Sequence, residues 1–388
     1  MAQLLAAHYE RHQPERTLLY QVVQKHYPIF RTQLEDEGRP LPGYVQREFD
    51  DFLRCGILEH GFLRVRCDHC HFERLIAFSC KRRGFCPSCG VRRMVEASAL
   101  LVDAVLPEQP IRQWVLSVPY PLRFLFASQP KVMGKVLGIV YRTIARHLLK
   151  TAGYRTTKAQ TGAVTLIQRF GSALNLNIHF HMLFLDGVYA EDRHGVSRFF
   201  RVKAPSHAEL IALAHQLSHR VGRYLERQGL LSRDLENAYL AFDLDESNPM
   251  PHLQSSSIQY RIAMGSQQGR KAFQLQTVAA AHAENASSVS SFVAKVSGFS
   301  LHAGVCAQAD ERKKLEQLCR YITRPAISEK RLSLTGQGHV RIQLKTPYRD
   351  GTTHVVLEPL EFMAHFPVHH PSGDLWSCKS AILPICHC

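Results

Sequence analysis

The apolar segment NLNIHFHMLFLDG contains two histidines, His179 and His181, that are two residues apart. In a β-strand, residues of the same parity share a face, so both imidazoles are expected on one side of the strand. Two imidazoles on one strand face can ligate a single divalent cation, which then needs at least one further ligand. The candidates for that further ligand are Gln168, on the preceding predicted strand, and His302.

A tyrosine, Tyr321, lies near the end of the basic segment ERKKLEQLCRYITRP, between Arg320 and Arg324. A tyrosine hydroxyl attacks phosphorus when a metal ion polarises the phosphate and neighbouring cations stabilise the charge. Helical periodicity places an apolar stripe on this segment, made of Leu315, Leu318, Cys319 and Ile322. Tyr321 borders that stripe, and residues four apart share a helix face, so we predict Tyr321 directed at a sheet with both arginines on one face.

Cysteine spacing predicts a structural zinc site in the first quarter of the chain. The pair Cys67 and Cys70 is separated by fifteen residues from the pair Cys86 and Cys89. This spacing is typical of a four-cysteine zinc ribbon, in which each pair supplies two ligands of one tetrahedral ion. Spare or alternative ligands in the same segment are Cys80, His69 and His71.

Basic charge is concentrated in two parts of the chain, which has a net charge of +15. Residues 54–93 contain nine basic and three acidic side chains, and residues 312–349 contain ten and two. Concentrated positive charge favours nucleic-acid phosphates as the partner. The residues predicted to contact DNA are Arg66, Lys81, Arg82, Arg83, Arg92, Arg93, Lys313, Lys314, Arg341 and Lys345.

Composition also restricts the cellular setting. The sequence has no apolar run of about 18 residues, and its N-terminus becomes polar too early for a secretory signal. The eleven cysteines are an odd number, and their clustering beside Arg and Lys favours metal ligation over disulfides. We therefore expect a cytoplasmic protein that does not bind a membrane.

The order of predicted elements indicates an α+β fold. Helices are predicted within residues 1–53, 131–150, 206–230 and 309–323. Strands are predicted at QWVLSV, GAVTLIQRF, LNLNIHFHMLFLDGVY, RLSL, HVRIQLKT and THVVLEP, and loops at 243–257 and 281–298. We predict a helical and zinc-ribbon DNA-binding domain over residues 1–100 and a catalytic domain over residues 101–365.

Several of these segments resemble the insertion-sequence-ninety-one family of rolling-circle transposases. They are RCDHCHFERLIAFSCKRRGFCPSCGVRRM, IQRFGSALNLNIHFHMLFLDGVY, ERKKLEQLCRYITRPAISEKRLSLT and YRDGTTHVVLEPLEFMA. The resemblance covers about residues 15–365. It implies that the catalytic domain has an HUH-endonuclease-like fold, an antiparallel sheet with helices on its faces.

The resemblance also implies an activity. His179 and His181 would bind catalytic Mg²⁺ or Mn²⁺, in addition to the structural Zn²⁺, and Tyr321 would be the nucleophile. Single-stranded DNA would be nicked at element ends, leaving a 5′-phosphotyrosine enzyme and a free 3′-hydroxyl for joining to a target site. Arg320 or Arg324 would stabilise the charge on the phosphate.

The sequence departs from the family in two places. Some members have a second tyrosine four residues from the first, but these positions are Gln317 and Pro325 here, so the chain resembles the single-tyrosine branch. One tyrosine must then perform two cleavages, or a second subunit must join as a dimer during strand transfer. Residues 366–388 form an atypical tail, as a truncation or frameshift would produce.

Three other functions are compatible with parts of the pattern. A histidine-triad nucleotide hydrolase would need a third histidine at position 183, which is Leu183. A rolling-circle replication initiator would use the same chemistry at a replication origin. A non-catalytic zinc-ribbon DNA-binding regulator would tolerate any change of Tyr321.

Overall fold

The computed structural model describes residues 13–82, 86–155, 158–192, 194–234, 238–241, 245, 247–277 and 292–366. Its helices are α1 Leu18–Asp36, α2 Gly43–Arg54, α3 Pro87–Leu100, α4 Tyr120–Ser128, α5 Pro130–Thr151, α6 His207–Arg227, α7 Pro249–Gln259, α8 Arg312–Thr323 and α9 Pro359–Ala364. Among these residues, no helix combines the length and apolar character needed to span a bilayer.

The strands alternate with these helices along the chain. They are β1 Phe62–Arg66, β2 Glu73–Ala77, β3 Ile111–Ser117, β4 Ala159–Gln160, β5 Ala163–Phe170, β6 Leu176–Leu185, β7 Gly187–Glu191, β8 Ser197–Arg201, β9 Leu231–Arg233, β10 Ala238–Leu240, β11 Phe273–Gln276, β12 Val293–Val296, β13 Phe299–Ala307, β14 Leu332–Leu334, β15 Val340–Gln343 and β16 Thr352–Leu357. The chain is therefore a mixed protein of helices and sheets, as its sequence predicts.

The largest sheet is antiparallel throughout and has the strand order β12-β13-β3-β6-β5. Its core face packs against α4 and α5, where Phe126 lies 6.1 Å from Phe180 and Tyr141 lies 5.6 Å from Phe184 between ring centroids. Its opposite face is covered by α8. The residues of β6 on the core face are all buried, as strand alternation predicts, because they pack against this helical layer: Leu176, Ile178, Phe180, Met182 and Phe184.

The position of α8 is fixed by contacts along its whole length. Its stripe of Leu315, Cys319 and Ile322 is buried in a cluster with β5 and β6. At its start, the Arg312 guanidinium donates to the carbonyls of Val102, Leu106 and Pro107, which follow α3. At its end, Thr323 Oγ1 donates to Cys319 O within the helix at 2.8 Å and lies 3.5 Å from Met94 O of α3. The helix is thus held between the sheet and α3.

The N-terminal helices pack on the C-terminal end of the described chain. The Tyr27 and Phe49 rings of α1 and α2 stack at 4.3 Å, and Phe49 meets Phe366, just beyond α9, at 6.0 Å. In contrast, the β1–β2 hairpin is exposed along most of both strands. The N-terminal helices and the main sheet belong to one continuous core.

A second sheet has the order β11-β16-β15-β14 and contains the three strands predicted after α8. Two smaller sheets have the orders β4-β7-β8 and β10-β9. In the second sheet, the segment after β15 extends toward the end of α8, where Lys345 meets Tyr321.

The predicted loop at 243–257 is wrong in its second half, because α7 begins at Pro249. Asn248 caps this helix by accepting a hydrogen bond from Met250 N, and proline suits a first helical position. The Ser-rich composition is accommodated because the Ser257 hydroxyl accepts a hydrogen bond from Leu176 N at 2.8 Å.

The predicted loop at 281–298 is also wrong in part, because β12 forms an edge of the main sheet by pairing with β13. Strand alternation buries Ala294 and Val296 and leaves Lys295 exposed. An alternation over only three residues, in a segment rich in Ser and Ala, is too short to predict a strand. Residues 281–291 of that prediction lie outside the described residues.

A buried ion pair joins three strands of the main sheet. Arg112 of β3 contacts Asp186, just after β6, through Nε–Oδ1 at 2.7 Å and Nη2–Oδ2 at 2.8 Å. Its Nη1 donates to Ala303 O of β13 at 3.0 Å. Both side chains are almost fully buried, so removal of one charge leaves the other unpaired in the interior.

Asp186→Asn is expected to lower the free energy of unfolding by about 3–5 kcal/mol, because it leaves the Arg112 charge buried and unpaired. Urea unfolding followed by circular dichroism measures this change. The control is Glu316→Gln, which removes an exposed ion pair with Arg320 and should cost less than about 1 kcal/mol. Equal losses in the two variants would refute a special contribution from the buried pair.

Candidate active site and cysteine cluster

The two histidines lie on the face of β6 that α8 covers. Their ring centroids are 4.9 Å apart. In the sheet register, His179 is flanked by Ser117 of β3 and Gln168 of β5. The prediction that strand alternation puts both imidazoles on one face is therefore confirmed.

The hydrogen bonds of both histidines are compatible with metal ligation. His179 Nδ1 lies 2.7 Å from Asn177 O and donates to it, which leaves the Nε2 lone pair available. His181 Nδ1 lies 2.7 Å from Gln113 Nε2, which donates to it in this orientation of the amide, and the buried His181 Nε2 has no hydrogen-bond partner in the described part of the chain. Turning the Gln113 amide over exchanges its nitrogen and oxygen, so that the oxygen accepts the Nδ1 proton and His181 Nε2 becomes a free lone pair for a metal ion.

Burial keeps these imidazoles neutral. Desolvation, reinforced by His179 and Arg324, lowers the pKa of His181 to about 3. Desolvation also lowers the pKa of His179, and the nearby Arg324 and Arg123 act in the same direction. Neutral imidazole is the form that binds a metal ion, so the donor set fits a divalent cation.

The two candidates for a further ligand occupy different places. Gln168 is buried and directly opposite His179, and its Nε2 donates to Ile322 O at 3.3 Å. It therefore connects the face of the sheet that carries the histidines to the end of α8. His302 is separated from His181 by Val115 of β3, which places the two histidines two strands, or about 10 Å, apart. The structure brings Gln168 to the pair and does not bring His302.

Tyr321 lies over this face of the sheet. Its ring centroid is 6.3 Å from that of His181, and the side chain is 43% exposed. The Arg324 guanidinium lies 4.1 Å from the ring centroid, and Lys345 Nζ lies 4.0 Å from it. Within the described residues the hydroxyl makes no hydrogen bond, so an incoming phosphate can reach it.

The predicted arrangement of the two arginines is wrong. α8 ends at Thr323, and Arg324 has extended backbone with ψ 148°, so Arg320 and Arg324 do not share a helix face. Arg320 instead forms an exposed ion pair with Glu316 at 2.7 Å. Arg324 folds back so that its Nη1 donates to Tyr321 O at 2.8 Å. The second cation at the tyrosine is Lys345, not Arg320.

A third cation, Arg331, lies near Arg324 and Lys345. Arg331 donates to Ser172 O and Ala326 O. Desolvation and the nearby Arg324 lower the pKa of Arg331, and desolvation lowers that of Lys345. Like charges held this close favour a bound anion, because an anion relieves their repulsion.

Four cysteines form a compact cluster, Cys55, Cys80, Cys86 and Cys89, with all sulfurs within 4.8 Å of one another. The Sγ separations are 3.6 Å for Cys55–Cys89, 3.5 Å for Cys80–Cys89 and 3.7 Å for Cys86–Cys55. Four thiolates about 2.3 Å from a zinc ion have sulfurs about 3.8 Å apart, so the cluster has the size of a tetrahedral zinc site. The thiols also fit the metal chemically, because zinc prefers thiolate ligands.

The predicted zinc ligands are therefore only partly brought together. Cys86 and Cys89 lie in the cluster, and the spare residue Cys80 lies there too. Cys67 and Cys70 lie exposed between β1 and β2, outside the cluster, with His69 and His71 beside them. Spacing favoured Cys67 and Cys70 because they form a Cys-x2-Cys pair. Cys55 lacks such a partner, and only the packing of α2 against the segment before α3 reveals it.

The predicted DNA-contacting residues are distributed over several surfaces. Arg66, Lys81, Arg92 and Lys313 are exposed. Four others contact protein groups: Arg82 with Asp51, Arg93 with Lys81 O, Lys314 with Glu311, and Arg341 with Ser333. Arg83 lies outside the described residues. Of the predicted set, Lys345 is the residue that contacts Tyr321.

Two comparisons with protein families match the chain. The family described as "putative transposase" matches residues 162–375, a region that includes both histidines and Tyr321. The family described as "transposase zinc-binding domain" matches residues 22–118, a region that includes the cysteine cluster. No curated protein and no solved structure matches the chain.

Cys55→Ser is expected to release zinc and so to lower the free energy of unfolding. The expected loss is about 4 kcal/mol, which is the stabilisation that zinc provides when its free concentration is about a thousand times its Kd. Metal analysis and thermal unfolding measure the two effects. The control is Cys67→Ser, which should keep about one zinc per chain because Cys67 lies outside the cluster. Loss of zinc in Cys67→Ser with retention in Cys55→Ser would instead support the ligands predicted from spacing.

Proposed function

Because this chain belongs to the insertion-sequence-ninety-one family of transposases, we propose that it cleaves and rejoins single-stranded DNA with Tyr321 as the nucleophile. The observation that carries the proposal is the position of Tyr321, 6.3 Å from His181 between ring centroids and flanked by two cations. An exposed tyrosine over a pair of buried and half-buried histidines has the components of metal-assisted phosphoryl transfer.

His179 and His181 would hold Mg²⁺ or Mn²⁺, with Gln168 as the candidate for a further protein ligand. The ion would polarise the scissile phosphate as a Lewis acid. The Nδ1 hydrogen bonds to Asn177 and Gln113 orient the two rings and leave both Nε2 atoms for the ion.

The chemical step exchanges one phosphodiester for another. The Tyr321 oxygen forms a bond to phosphorus and loses its proton, while the bond from phosphorus to the 3′-oxygen breaks. That oxygen takes up a proton and leaves as a 3′-hydroxyl, and the 5′-phosphate remains on the tyrosine. Arg324 and Lys345 stabilise the negative charge of the phenolate and of the phosphate during transfer.

The phosphotyrosine preserves the energy of the original bond, so attack by a 3′-hydroxyl of a target strand rejoins DNA in the reverse reaction. This supports transposition by a rolling-circle route, in which element ends and the target site are the DNA partners. With one tyrosine at the histidine pair in the described residues, the two cleavages are sequential or use a second subunit.

Two alternatives differ from this proposal in a measurable way. A rolling-circle replication initiator would form the same phosphotyrosine, but on DNA from a replication origin. A non-catalytic regulator would bind DNA without a covalent product. The cations beside Tyr321 favour the enzyme. They stabilise charge on a reacting tyrosine and phosphate, whereas DNA binding by a regulator does not require cations around a tyrosine next to a histidine pair.

Tyr321→Phe is expected to abolish a covalent protein–DNA adduct, because it removes the attacking oxygen and leaves the ring in place. Adducts are selected from a random pool of single-stranded DNA with Mn²⁺ and are detected on a denaturing gel. The control is Tyr239→Phe, an exposed tyrosine on β10, which should form the adduct normally. An adduct that persists in Tyr321→Phe would assign the nucleophile to another residue.

Gln113→Leu is expected to weaken Mn²⁺ binding by about 10- to 100-fold, because the His181 ring loses the partner that orients it. Isothermal titration with Mn²⁺ measures this directly, without DNA. Gln113→Glu, which can still accept the Nδ1 proton, is the matched control and should keep most of the affinity. Equal affinity in Gln113→Leu and the wild type would exclude His181 as a ligand oriented by Gln113.

A further inference from the structure

A cleft of about 640 Å³ opens beside Tyr321. Four parts of the chain line it: the first two turns of α3, the end of β5 with the turn that follows, the segment after α8, and Lys345 after β15. The cleft is therefore formed between the region that matches the zinc-binding family and the region that matches the transposase family. Its volume falls in the usual range for a small-molecule site, about 300–1,000 Å³.

The lining of the cleft combines apolar and basic side chains. The apolar residues are Pro87, Val91, Phe170, Pro325 and Ile327. The basic residues are Arg324, Lys330, Arg331 and Lys345, beside one acidic residue, Glu329. Aromatic and apolar surfaces stack on bases, and cations bind phosphates, so this pattern fits a nucleotide unit of single-stranded DNA.

Arg324 connects the cleft to the proposed nucleophile. Its guanidinium lies 4.1 Å from the Tyr321 ring centroid and 5.8 Å from that of Phe170. Lys345 also borders both places, with Nζ 4.0 Å from the Tyr321 ring centroid. A strand whose scissile phosphate lies at Tyr321 thus has its neighbouring nucleotide at the mouth of the cleft.

The geometry points to this cleft as the site that holds the nucleotide next to the scissile phosphate, with its base against the apolar residues of the lining and its phosphate on Arg331 and Lys345. This inference rests on the proposed function. It assigns to α3 of the zinc-binding region, through Val91, a direct part in choosing which DNA sequence is cleaved.

Val91 offers a direct test because it is 46% exposed and its side chain borders the cleft, so a larger residue fills the cleft without entering the core. The matched control is Val95→Phe, one turn further along α3, at a residue that is 40% exposed and does not line the cleft. Both variants should retain the zinc content and thermal stability of the wild type.

The substrate is the strand selected by adduct formation, with a single abasic nucleotide moved along it through the positions around the nick. Cleavage rates and binding anisotropy are measured for each strand. For the wild type, one abasic position next to the nick should lower cleavage on the order of tenfold, the effect of one stacked base. On the intact strand, Val91→Phe should cleave about tenfold more slowly than the wild type. The abasic nucleotide at that position should not lower the cleavage rate of Val91→Phe any further. Val95→Phe should cleave both strands at the rates of the wild type.

An abasic penalty of equal size in Val91→Phe and the wild type would overturn the inference. Zinc content and thermal stability of Val91→Phe equal to those of the wild type separate blocking of the cleft from misfolding. If the wild type forms no adduct with any strand of the pool, the proposed function fails, and the anisotropy comparison, made on a strand selected from the same pool by binding alone, still decides whether the cleft binds a base.

Discussion

The packing of α8 between the main sheet and α3 is the constraint on which the candidate site depends. The sheet holds the histidine pair, and α8 ends at the tyrosine, so their separation is set by how the helix sits on the sheet. Arg312 fixes the start of α8, and Gln168 and Thr323 fix its end. Cys86 and Cys89 lie at the start of α3, so a metal in the cysteine cluster stabilises the helix against which α8 packs.

Burial and charge act on different groups within the site. The histidines lie deep enough for desolvation to keep them neutral, which favours metal binding. The cations lie at the rim, where Arg324 and Lys345 contact the face of the tyrosine ring. A phosphate that approaches from solvent therefore meets positive charge first and the histidine pair behind it. This order suits capture of a polyanion before the chemical step.

Local sequence patterns predicted much of the fold and part of the site. Alternation in β6 placed His179 and His181 together, and helical periodicity placed Tyr321 beside a buried stripe. Both patterns depend on contacts within a few residues, which a sequence displays directly. The same reasoning missed α7, whose helix is supported by a hydrogen bond from distant Leu176 to Ser257.

Residue types and local periodicity predicted which residues could ligate metal or attack phosphorus and which strand or helix would carry them. Which of these residues meet follows from the folded structure. It replaced Cys67 and Cys70 by Cys55 and Cys80 in the cysteine cluster, and it brought Lys345 rather than Arg320 to Tyr321. The reason is physical: ligand sets and charge clusters are formed by contacts between segments far apart in sequence, and residue spacing carries no information about how those segments pack.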